Sequence, residues 1–291
     1  MPTYTTLNHI SIDPLVWDMF RQTHILIGGA TRSGKSVLLN SFIHGVMQYY
    51  LPLLDTEESA DRQAGLILID PKRGIEFGRY KDLPHTVAYA TDDVSAVSAL
   101  TTAVNEMNKR YDRLNATGQR KQEVKPIYVI VDEMADITGN KKVTALIDRI
   151  ARLGGAASIH LILSTQQPLI TSGAITSSTK ANMTAQIALR CEEAKDSKAI
   201  IRKAGAELLP LNGYCLYRTP YNAEVRMMTV PYTPDTEIDG LVSYWLAQMP
   251  HRTTGYKRYK RAHTLEAWDN RDKNPGIIDR ILGLFCLSRK K

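Results

Sequence analysis

Cysteine is scarce in this sequence, and long apolar runs are absent. The three cysteines, Cys191, Cys215 and Cys286, are far apart and lack the spacing of metal ligands. Three widely separated cysteines are typical of reduced thiols in a cytoplasmic protein rather than of a disulfide framework. No stretch approaches the roughly 18 apolar residues that cross a bilayer, so no transmembrane segment is expected.

The N-terminal residues also lack the basic and then apolar order of a signal peptide, since residues 3–8 are mostly polar and Asp13 follows them. Internal repeats and low-complexity tracts are missing as well. With 291 residues, of which 43% are hydrophobic, the chain can bury a sizeable core. These features favour a cytoplasmic globular protein with one large domain, alone or with an appendage.

Net positive charge is confined to the C-terminal part of the chain. Eleven basic and four acidic residues lie between His251 and Lys291, and they account for the whole net charge of +7. Residues 256–261 alternate cations with tyrosines, which suits phosphate contacts and base stacking. A solvated terminal tail has a similar composition. This feature therefore leaves open both an acidic partner, such as nucleic acid, and a plain tail.

A phosphate-binding motif lies near the start of the chain. Residues 29–36, the phosphate loop, read G-A-T-R-S-G-K-S and match the pattern G-x-x-x-x-G-K-[ST]. A strand-like run at 24–27 precedes the loop, and apolar residues at helical spacing follow it. These flanks disfavour the alternative, a glycine turn before a surface helix. The predicted nucleotide-binding residues are Gly29, Ala30, Thr31, Arg32, Ser33, Gly34, Lys35, Ser36 and Val37.

The chemistry of such a loop gives roles to two of its side chains. Lys35 is expected to reach the β- and γ-phosphates of ATP, and the Ser36 hydroxyl is expected to bind Mg²⁺. Kinases, GTPases, transporters and DNA motors all share this motif, so the rest of the sequence has to distinguish among them.

Strand-like and helix-like segments alternate along the chain. Apolar runs at 24–27, 66–69, 127–131 and 159–163 predict strands, and helical periodicity follows the phosphate loop and covers 97–114 and 143–153. The middle helix is expected to begin after Thr91 or Asp92 and to end at Gly118. This alternation predicts an α/β fold with a central, mostly parallel sheet and helices on both faces.

Polar residues follow several of these predicted strands. Ligands of parallel sheets bind at the carboxyl ends of the strands. Besides the phosphate loop, the residues expected at this edge are Asp70, Asp132, Glu133, Ser164, Thr165 and Gln166.

The segment I-Y-V-I-V-D-E-M-A-D places two acids directly after an apolar strand. In a phosphate-loop protein, Asp132 at this position holds Mg²⁺ together with Ser36, and Glu133 polarises the attacking water. Because kinases need no hydrolytic water, Glu133 favours an ATP hydrolase with Glu133, Lys35 and Gln166 as catalytic residues. Gln166 is placed to report the γ-phosphate state. The alternatives are acidic and polar strand ends without a functional role.

Seven blocks of the sequence resemble, in order, those of one known family. The blocks are HILIGGATRSGKSVLLNSFI, LILIDPKRGIEF, EMNKRYDRL, IYVIVDEMADI, IDRIARLGGAASIHLILSTQQP, ITSSTKANMTAQIAL and DSKAIIRKAGAELLPLNGYCLYR. They are similar to blocks of FtsK/SpoIIIE-type DNA translocases in the HerA–FtsK superfamily and cover residues 23–218. The resemblance implies a RecA-like ATPase that forms a hexameric ring around double-stranded DNA. It also implies that Asp132 and Glu133 are the Walker B pair and that Gln166 senses the γ-phosphate.

The sequence departs from the family pattern at three places. Residues 155–160 read G-A-A-S-I-H where R-A-A-G-I-H is common, residues 165–168 read T-Q-Q-P instead of T-Q-R-P, and Lys198 stands where an arginine is often found. Lysine does not replace the planar fork of an arginine finger, so the finger cannot be assigned by motif. The remaining candidates are Arg149, Arg152, Arg190 and Arg202.

The expected organisation has three parts. They are an N-terminal extension (1–22), a RecA-like ATPase domain (23–235) and a basic C-terminal appendage (236–291). In the appendage, apolar residues at 277–285 follow a breaker at 274–276 and predict a helix too short to span a bilayer. This helix is expected to dock on the ATPase, on a neighbouring subunit or on a membrane-bound partner, and a self-packed terminal helix is the alternative.

Together these features predict a stand-alone, ATP-driven translocase of double-stranded DNA that serves DNA transfer of a mobile element, with a conjugation or membrane-bound partner. A basic pore lining can be formed by Lys72, Arg73, Lys141, Lys142 and Lys180, and the alternative for each of them is a solvated surface residue. Two other classes stay open. One is a nucleotide-gated DNA-binding or assembly protein with little hydrolysis, which the missing family arginines motivate and Glu133 opposes. The other is a small-molecule kinase, which the lack of a lid or acceptor motif disfavours.

Overall fold

The described part of the chain is built around one eight-stranded sheet. This computed structural model describes residues 12–50, 64–118, 125–166 and 175–247. The strands are β1 (His24–Gly28), β2 (Gly65–Ile69), β3 (Thr86–Ala90), β4 (Ile127–Val131), β5 (Ile159–Thr165), β6 (Ala185–Ala188), β7 (Tyr214–Thr219) and β8 (Asn222–Thr229). Their order across the sheet is β3-β2-β4-β5-β1-β6-β7-β8. The first six strands of this order are parallel, and β7 and β8 add an antiparallel edge.

Helices cover both faces of this sheet. Within the described residues they are α1 (Pro14–Phe20), α2 (Lys35–Tyr49), α3 (Asp93–Thr117), α4 (Lys141–Leu153), α5 (Ser177–Asn182), α6 (Ala194–Ile201) and α7 (Asp235–Ala247). Apolar residues of α3, α4 and α6 pack on one face. Those of α1, α2 and α7 pack on the other. The chain therefore forms the layered α/β arrangement that the sequence predicts.

The central strands are buried on both sides. Every residue of β1, β2 and β4 is buried, and the three strands consist mostly of Ile, Leu and Val. Successive side chains of a strand point to opposite faces, so two helical layers require apolar residues at every position. The strands predicted at 24–27, 66–69, 127–131 and 159–163 are confirmed.

The long helix α3 begins and ends where the sequence predicts. The Asp92 carboxylate accepts a hydrogen bond from the Ser95 amide at 2.7 Å, and the Ser95 hydroxyl accepts one from the Asp92 amide at 3.2 Å. At the other end, Gly118 has a φ of 67°, a left-handed conformation that suits glycine. Of the two N-cap candidates, Asp92 is confirmed, as is the end at Gly118.

Helices α1 and α7 share an apolar core with α2, the helix that follows the phosphate loop. Leu15 and Met19 of α1 and Ile238 of α7 are buried in this core. The Trp245 ring donates its Nε1–H to the Met47 carbonyl at 3.2 Å. Both helices fall at or beyond the limits predicted for the ATPase domain, residues 23–235, and these limits stay a prediction.

Several sequence predictions concern residues outside the described ranges. They are the polar composition of residues 1–11, the dipeptide at 167–168, the basic patch at 256–261, the apolar segment at 277–285, and Cys286. Among the described helices, none combines the length and the apolar character needed to cross a membrane.

Candidate functional site

The phosphate loop connects β1 to α2 at the carboxyl edge of the sheet. Arg32 has a φ of 62° and Gly34 a φ of 102°, so the chain turns sharply before Lys35 begins the helix. A positive φ of this size at Gly34 favours glycine strongly. The first amides of α2 have no acceptor within the helix, and this end of the helix therefore suits an anion.

The Lys35 side chain folds back over the phosphate loop. Its Nζ donates hydrogen bonds to the carbonyl oxygens of Gly29 at 2.6 Å and Ala30 at 2.8 Å. Burial lowers the pKa of Lys35 to about 8, although the charge of Glu133 opposes this shift. A buried ammonium gains most from an anion that replaces its lost hydration.

The surroundings of Ser33 fit a phosphate group. The Ser33 hydroxyl is buried and has no hydrogen-bond partner among the described residues. A Cβ atom at Gly29 would come within 2.7 Å of this hydroxyl oxygen, so the loop is packed closely around it. A buried hydroxyl without a partner is unfavourable unless a ligand supplies an acceptor. The residues present therefore fit the phosphates of a nucleotide.

Two acids end β4 beside the phosphate loop. Asp132 is 1% exposed, and its Oδ2 accepts a hydrogen bond from Lys72 Nζ at 2.7 Å. Glu133 is also buried and accepts hydrogen bonds from the Thr165 hydroxyl at 3.1 Å and from the Gln166 amide at 3.1 and 3.2 Å. Burial raises the pKa of Glu133, although these hydrogen bonds oppose the shift. A raised pKa makes this carboxylate a better proton acceptor than an exposed one.

Gln166 links the phosphate loop to Glu133. Its Oε1 accepts a hydrogen bond from the Thr31 hydroxyl at 2.8 Å, while its backbone amide donates to Glu133. A movement of Thr31 would therefore be transmitted to Glu133 through Gln166. The structure brings Lys35, Asp132, Glu133 and Gln166 together at one edge of the sheet, and their roles stay predictions.

The turn after β2 adds two side chains that the sequence does not assign to this site. Asp70 is fully buried, and its carboxylate accepts hydrogen bonds from three amides of the turn, including those of Lys72 at 3.2 Å and Glu76 at 2.8 Å. The turn places Lys72 on Asp132. It also places Glu76 near Ser36, whose hydroxyl opposes the burial that raises the pKa of Glu76. Lys72 therefore lies beside the phosphate loop, and its expected place in a pore lining stays a prediction.

Known proteins have sequences similar to most of this chain. The sequence model of the FtsK/SpoIIIE family matches residues 5–125. The DNA translocase FtsK of Campylobacter jejuni is 34% identical over 246 residues, which are 79% of this chain and 25% of that protein. The DNA translocase SftA of Bacillus subtilis is 33% identical over 258 residues, which are 83% of this chain and 26% of that protein.

The chain belongs to the FtsK/SpoIIIE family. The family predicted from the seven sequence blocks is therefore confirmed. The chain spans about a quarter of the length of the two curated FtsK/SpoIIIE relatives named above.

Solved structures share the fold of this FtsK/SpoIIIE chain. The pCW3 conjugation coupling protein TcpA, in a monomer form with ATPγS, aligns with a TM-score of 0.65 and 23% identity over 78% of this chain and 66% of TcpA. The cytoplasmic domain of the type VII secretion ATPase EccC from Thermomonospora curvata aligns with a TM-score of 0.63 and 21% identity over 77% of this chain and 28% of EccC. These similarities confirm the predicted fold class, a mostly parallel α/β sheet of the RecA-like type.

Three of the four candidate finger arginines bind acceptors within this FtsK/SpoIIIE chain itself. Arg149 donates to a side-chain amide oxygen at 3.1 Å, Arg152 to a carboxylate at 2.9 Å and Arg190 to a backbone carbonyl at 2.6 Å. Arg202 ends α6 with a φ of 63°. Arg190 borders the phosphate loop, because its own carbonyl accepts a hydrogen bond from the Ala30 amide at 2.8 Å. These contacts leave the identity of the finger open.

The described cysteines are free and buried. Burial raises the pKa of Cys191 and of Cys215 to about 12, so both thiols stay protonated and unreactive. Within residues 12–50, 64–118, 125–166 and 175–247, no group of three His, Cys, Asp or Glu side chains is arranged to hold a metal ion. A divalent cation on Ser36 and Asp132 would therefore depend on nucleotide oxygens to complete its ligands, as Mg²⁺ commonly does.

Proposed function

We propose that this FtsK/SpoIIIE chain is an ATP hydrolase that moves along double-stranded DNA. The observation that supports this best is the position of Glu133, a buried carboxylate next to Asp132 that is joined through Gln166 to the phosphate loop. A proton acceptor in this position suits hydrolysis and is not needed by a kinase or by a pure binding protein. The two curated relatives described above carry the name DNA translocase.

In this proposal, the phosphate loop binds the triphosphate of ATP. Lys35 exchanges its carbonyl partners for phosphate oxygens, and the Ser33 hydroxyl and the first amides of α2 donate to the phosphates. Ser36 and Asp132 would hold Mg²⁺, which neutralises phosphate charge when bound. Glu133 accepts a proton from the attacking water.

The DNA contact is proposed to involve backbone phosphates without sequence preference. Lys141 and Lys142 are exposed in the first turn of α4, and Arg73 is exposed in the turn that carries Lys72. Asn140, which caps α4, donates to Asp93 at the start of α3, so the first turn of α4 lies at the carboxyl edge of the sheet. Contacts of this kind release counterions, and DNA affinity should therefore fall steeply with rising salt.

Duplex DNA is expected to stimulate ATP hydrolysis by this chain. Steady-state hydrolysis is measured with several duplexes of unrelated sequence at one low salt concentration, and then at rising salt. A motor should be stimulated by every duplex, and the stimulation should disappear at high salt. A nucleotide-gated binding protein would bind DNA without faster turnover, and a kinase would not respond to DNA. Absence of stimulation at low salt would contradict the proposed function.

A homohexameric ring is the proposed active form. Its support is the family resemblance, since a ring motor surrounds DNA and completes each nucleotide site with an arginine of a neighbouring subunit. Sedimentation with ATPγS and duplex DNA is expected to show a hexamer, and a strict monomer would contradict the ring.

Mixing a Lys35→Ala protein with a finger-deficient protein should restore hydrolysis. Failure to do so for alanine variants of Arg149, Arg152, Arg190 and Arg202 would exclude a finger among them.

The cellular role and the domain limits are narrower proposals. We propose that residues 23–235 form the motor, that residues 236–291 form an appendage, and that the chain acts from the cytoplasm with a conjugation or membrane-bound partner. TcpA, which shares the fold, is a conjugation coupling protein, although the similarity itself concerns structure. Transfer frequency of the mobile element in cells that carry only the Glu133→Gln protein is the measurement that bears on this role.

A further inference from the structure

Asp132, which follows β4, forms an ion pair with Lys72, which follows the neighbouring strand β2. Lys72 Nζ lies 2.7 Å from Asp132 Oδ2, with the Lys72 side chain 32% exposed and the Asp132 side chain 1% exposed. Lys72 is held three residues beyond the end of β2, and Asp132 directly follows β4, the strand beside β2. Two neighbouring strands of the sheet therefore hold Lys72 and Asp132 close together, unlike an ion pair between two mobile surface side chains.

The backbone of the turn determines where Lys72 lies. Asp70 binds the amides of Lys72 and Glu76, while Arg73 and Gly74 adopt positive φ values of 60° and 81°. A Cβ atom at Gly74 would collide with the Tyr89 hydroxyl, so the turn is closely packed on β3. Because the backbone of Lys72 is fixed in this way, only its side chain has to be ordered when it binds Asp132.

Lys72 is the cation that several acids of the site share. Burial alone would lower the pKa of Lys72, but its hydrogen bond to Asp132 and the charges of Asp132, Glu133 and Glu76 raise it above its ordinary value. Lys72 in turn lowers the pKa of Lys35. The charge of Lys72 is thus felt by both the phosphate-binding lysine and the acids of β4.

We propose that Lys72 is a positioning residue that competes with Mg²⁺ for Asp132 and so sets the metal affinity of the nucleotide site. The inference rests on the proposed function, because it takes Asp132 and Ser36 as the residues that hold the metal. A carboxylate oxygen that already accepts a hydrogen bond from an ammonium group binds a divalent cation less tightly, and the ammonium charge repels that cation. Binding of the metal with its nucleotide would release Lys72 from Asp132.

Replacing Lys72 with methionine is expected to lower the Mg²⁺ concentration that half-saturates binding of mant-ADP, a fluorescent ADP analogue, about tenfold. ADP is chosen because it has no γ-phosphate, so the result does not depend on a contact between Lys72 and that group. Affinity for mant-ADP without Mg²⁺ should change little. Lys81→Met, at an exposed position of the same region, is the matched control and should leave the Mg²⁺ dependence unchanged.

Two further variants separate a specific effect of Lys72 from damage to the fold. Lys72→Arg keeps the charge and should retain a Mg²⁺ dependence near that of the wild type. In an Asp132→Asn background, the Lys72→Met change should no longer alter the Mg²⁺ dependence, because the shared partner is gone. An unchanged or raised half-saturating Mg²⁺ concentration in Lys72→Met would overturn the proposal. Failure of the wild-type protein to bind mant-ADP would instead overturn the proposed function and this inference with it.

Discussion

Replacing Glu133 with glutamine is expected to reduce ATP turnover at least about 100-fold and to leave ATP binding intact. The amide has the shape of the carboxylate, and its oxygen can still accept hydrogen bonds from the Thr165 hydroxyl and the Gln166 amide. It cannot accept a proton from water, so only the chemical step should be lost. Hydrolysis rates and binding of a fluorescent ATP analogue measure the two effects separately.

The pH dependence of ATP hydrolysis by the wild-type protein should also show that Glu133 acts as a base. Burial raises the pKa of Glu133, and the group must be deprotonated to act as a base. Hydrolysis should therefore begin to fall, as the pH is lowered, at a higher pH than an ordinary glutamate would give. Glu192→Gln, at an exposed position, is the control. Undiminished hydrolysis in the Glu133→Gln protein would remove the proposed role of this residue.

Replacing Lys35 with alanine is expected to weaken ATP binding at least about 100-fold, because hydrogen bonds to charged groups are among the strongest in proteins. The ammonium is already held at the loop by the Gly29 and Ala30 carbonyls, so it needs little rearrangement to meet a phosphate. Calorimetric titration with ATP measures the affinity, and thermal unfolding shows whether the fold is kept. Lys81→Ala is the exposed control.

A folded Lys35→Ala protein with wild-type ATP affinity would show that the phosphate loop does not bind nucleotide in the proposed way. The same result would also undermine the mixing experiment for the ring, because that experiment needs a subunit that cannot bind ATP. The Lys35 result therefore bears on both the site and the assembly.

The interior of the fold follows from the sequence because its signals are local. β1, β2, β4 and β5 are mostly apolar runs, and α3 has both an Asp92 cap and a Gly118 stop. Such signals depend on a few neighbouring residues, and a single sequence is enough to find them.

The periphery of the fold carries weaker local signals. β6 has only four residues and includes the buried polar Gln186, whose Nε2 donates to the Met183 carbonyl at 2.6 Å. Strand β3 is no more than T-V-A-Y-A, and α5 has six residues without an apolar period. These elements depend on pairing with strands and helices that are distant in sequence, so a single sequence does not reveal them.

The meeting of the site residues could be predicted, but the position of Lys72 could not. The register pairs Ile69 with Val131 and Gly28 with Thr165, so the residues that follow these strands converge at one edge. That convergence is a general property of parallel sheets. The position of Lys72, by contrast, depends on the turn whose amides bind Asp70. In the sequence D-P-K-R-G-I-E-F, a lysine beside an arginine is typical of a solvated surface. An aspartate directly after an apolar run, with a glycine four residues later, is the sequence signal that could have identified the turn.

Motion along DNA is measured most directly by displacement of a third strand from a triplex at one end of a duplex. The protein is added with ATP, and release of the labelled third strand is followed over time. A motor should release the strand at a delay that grows with the length of duplex in front of it, and the Glu133→Gln protein should release none. ATP-independent release, or no release from a wild-type protein whose hydrolysis is stimulated by DNA, would contradict translocation.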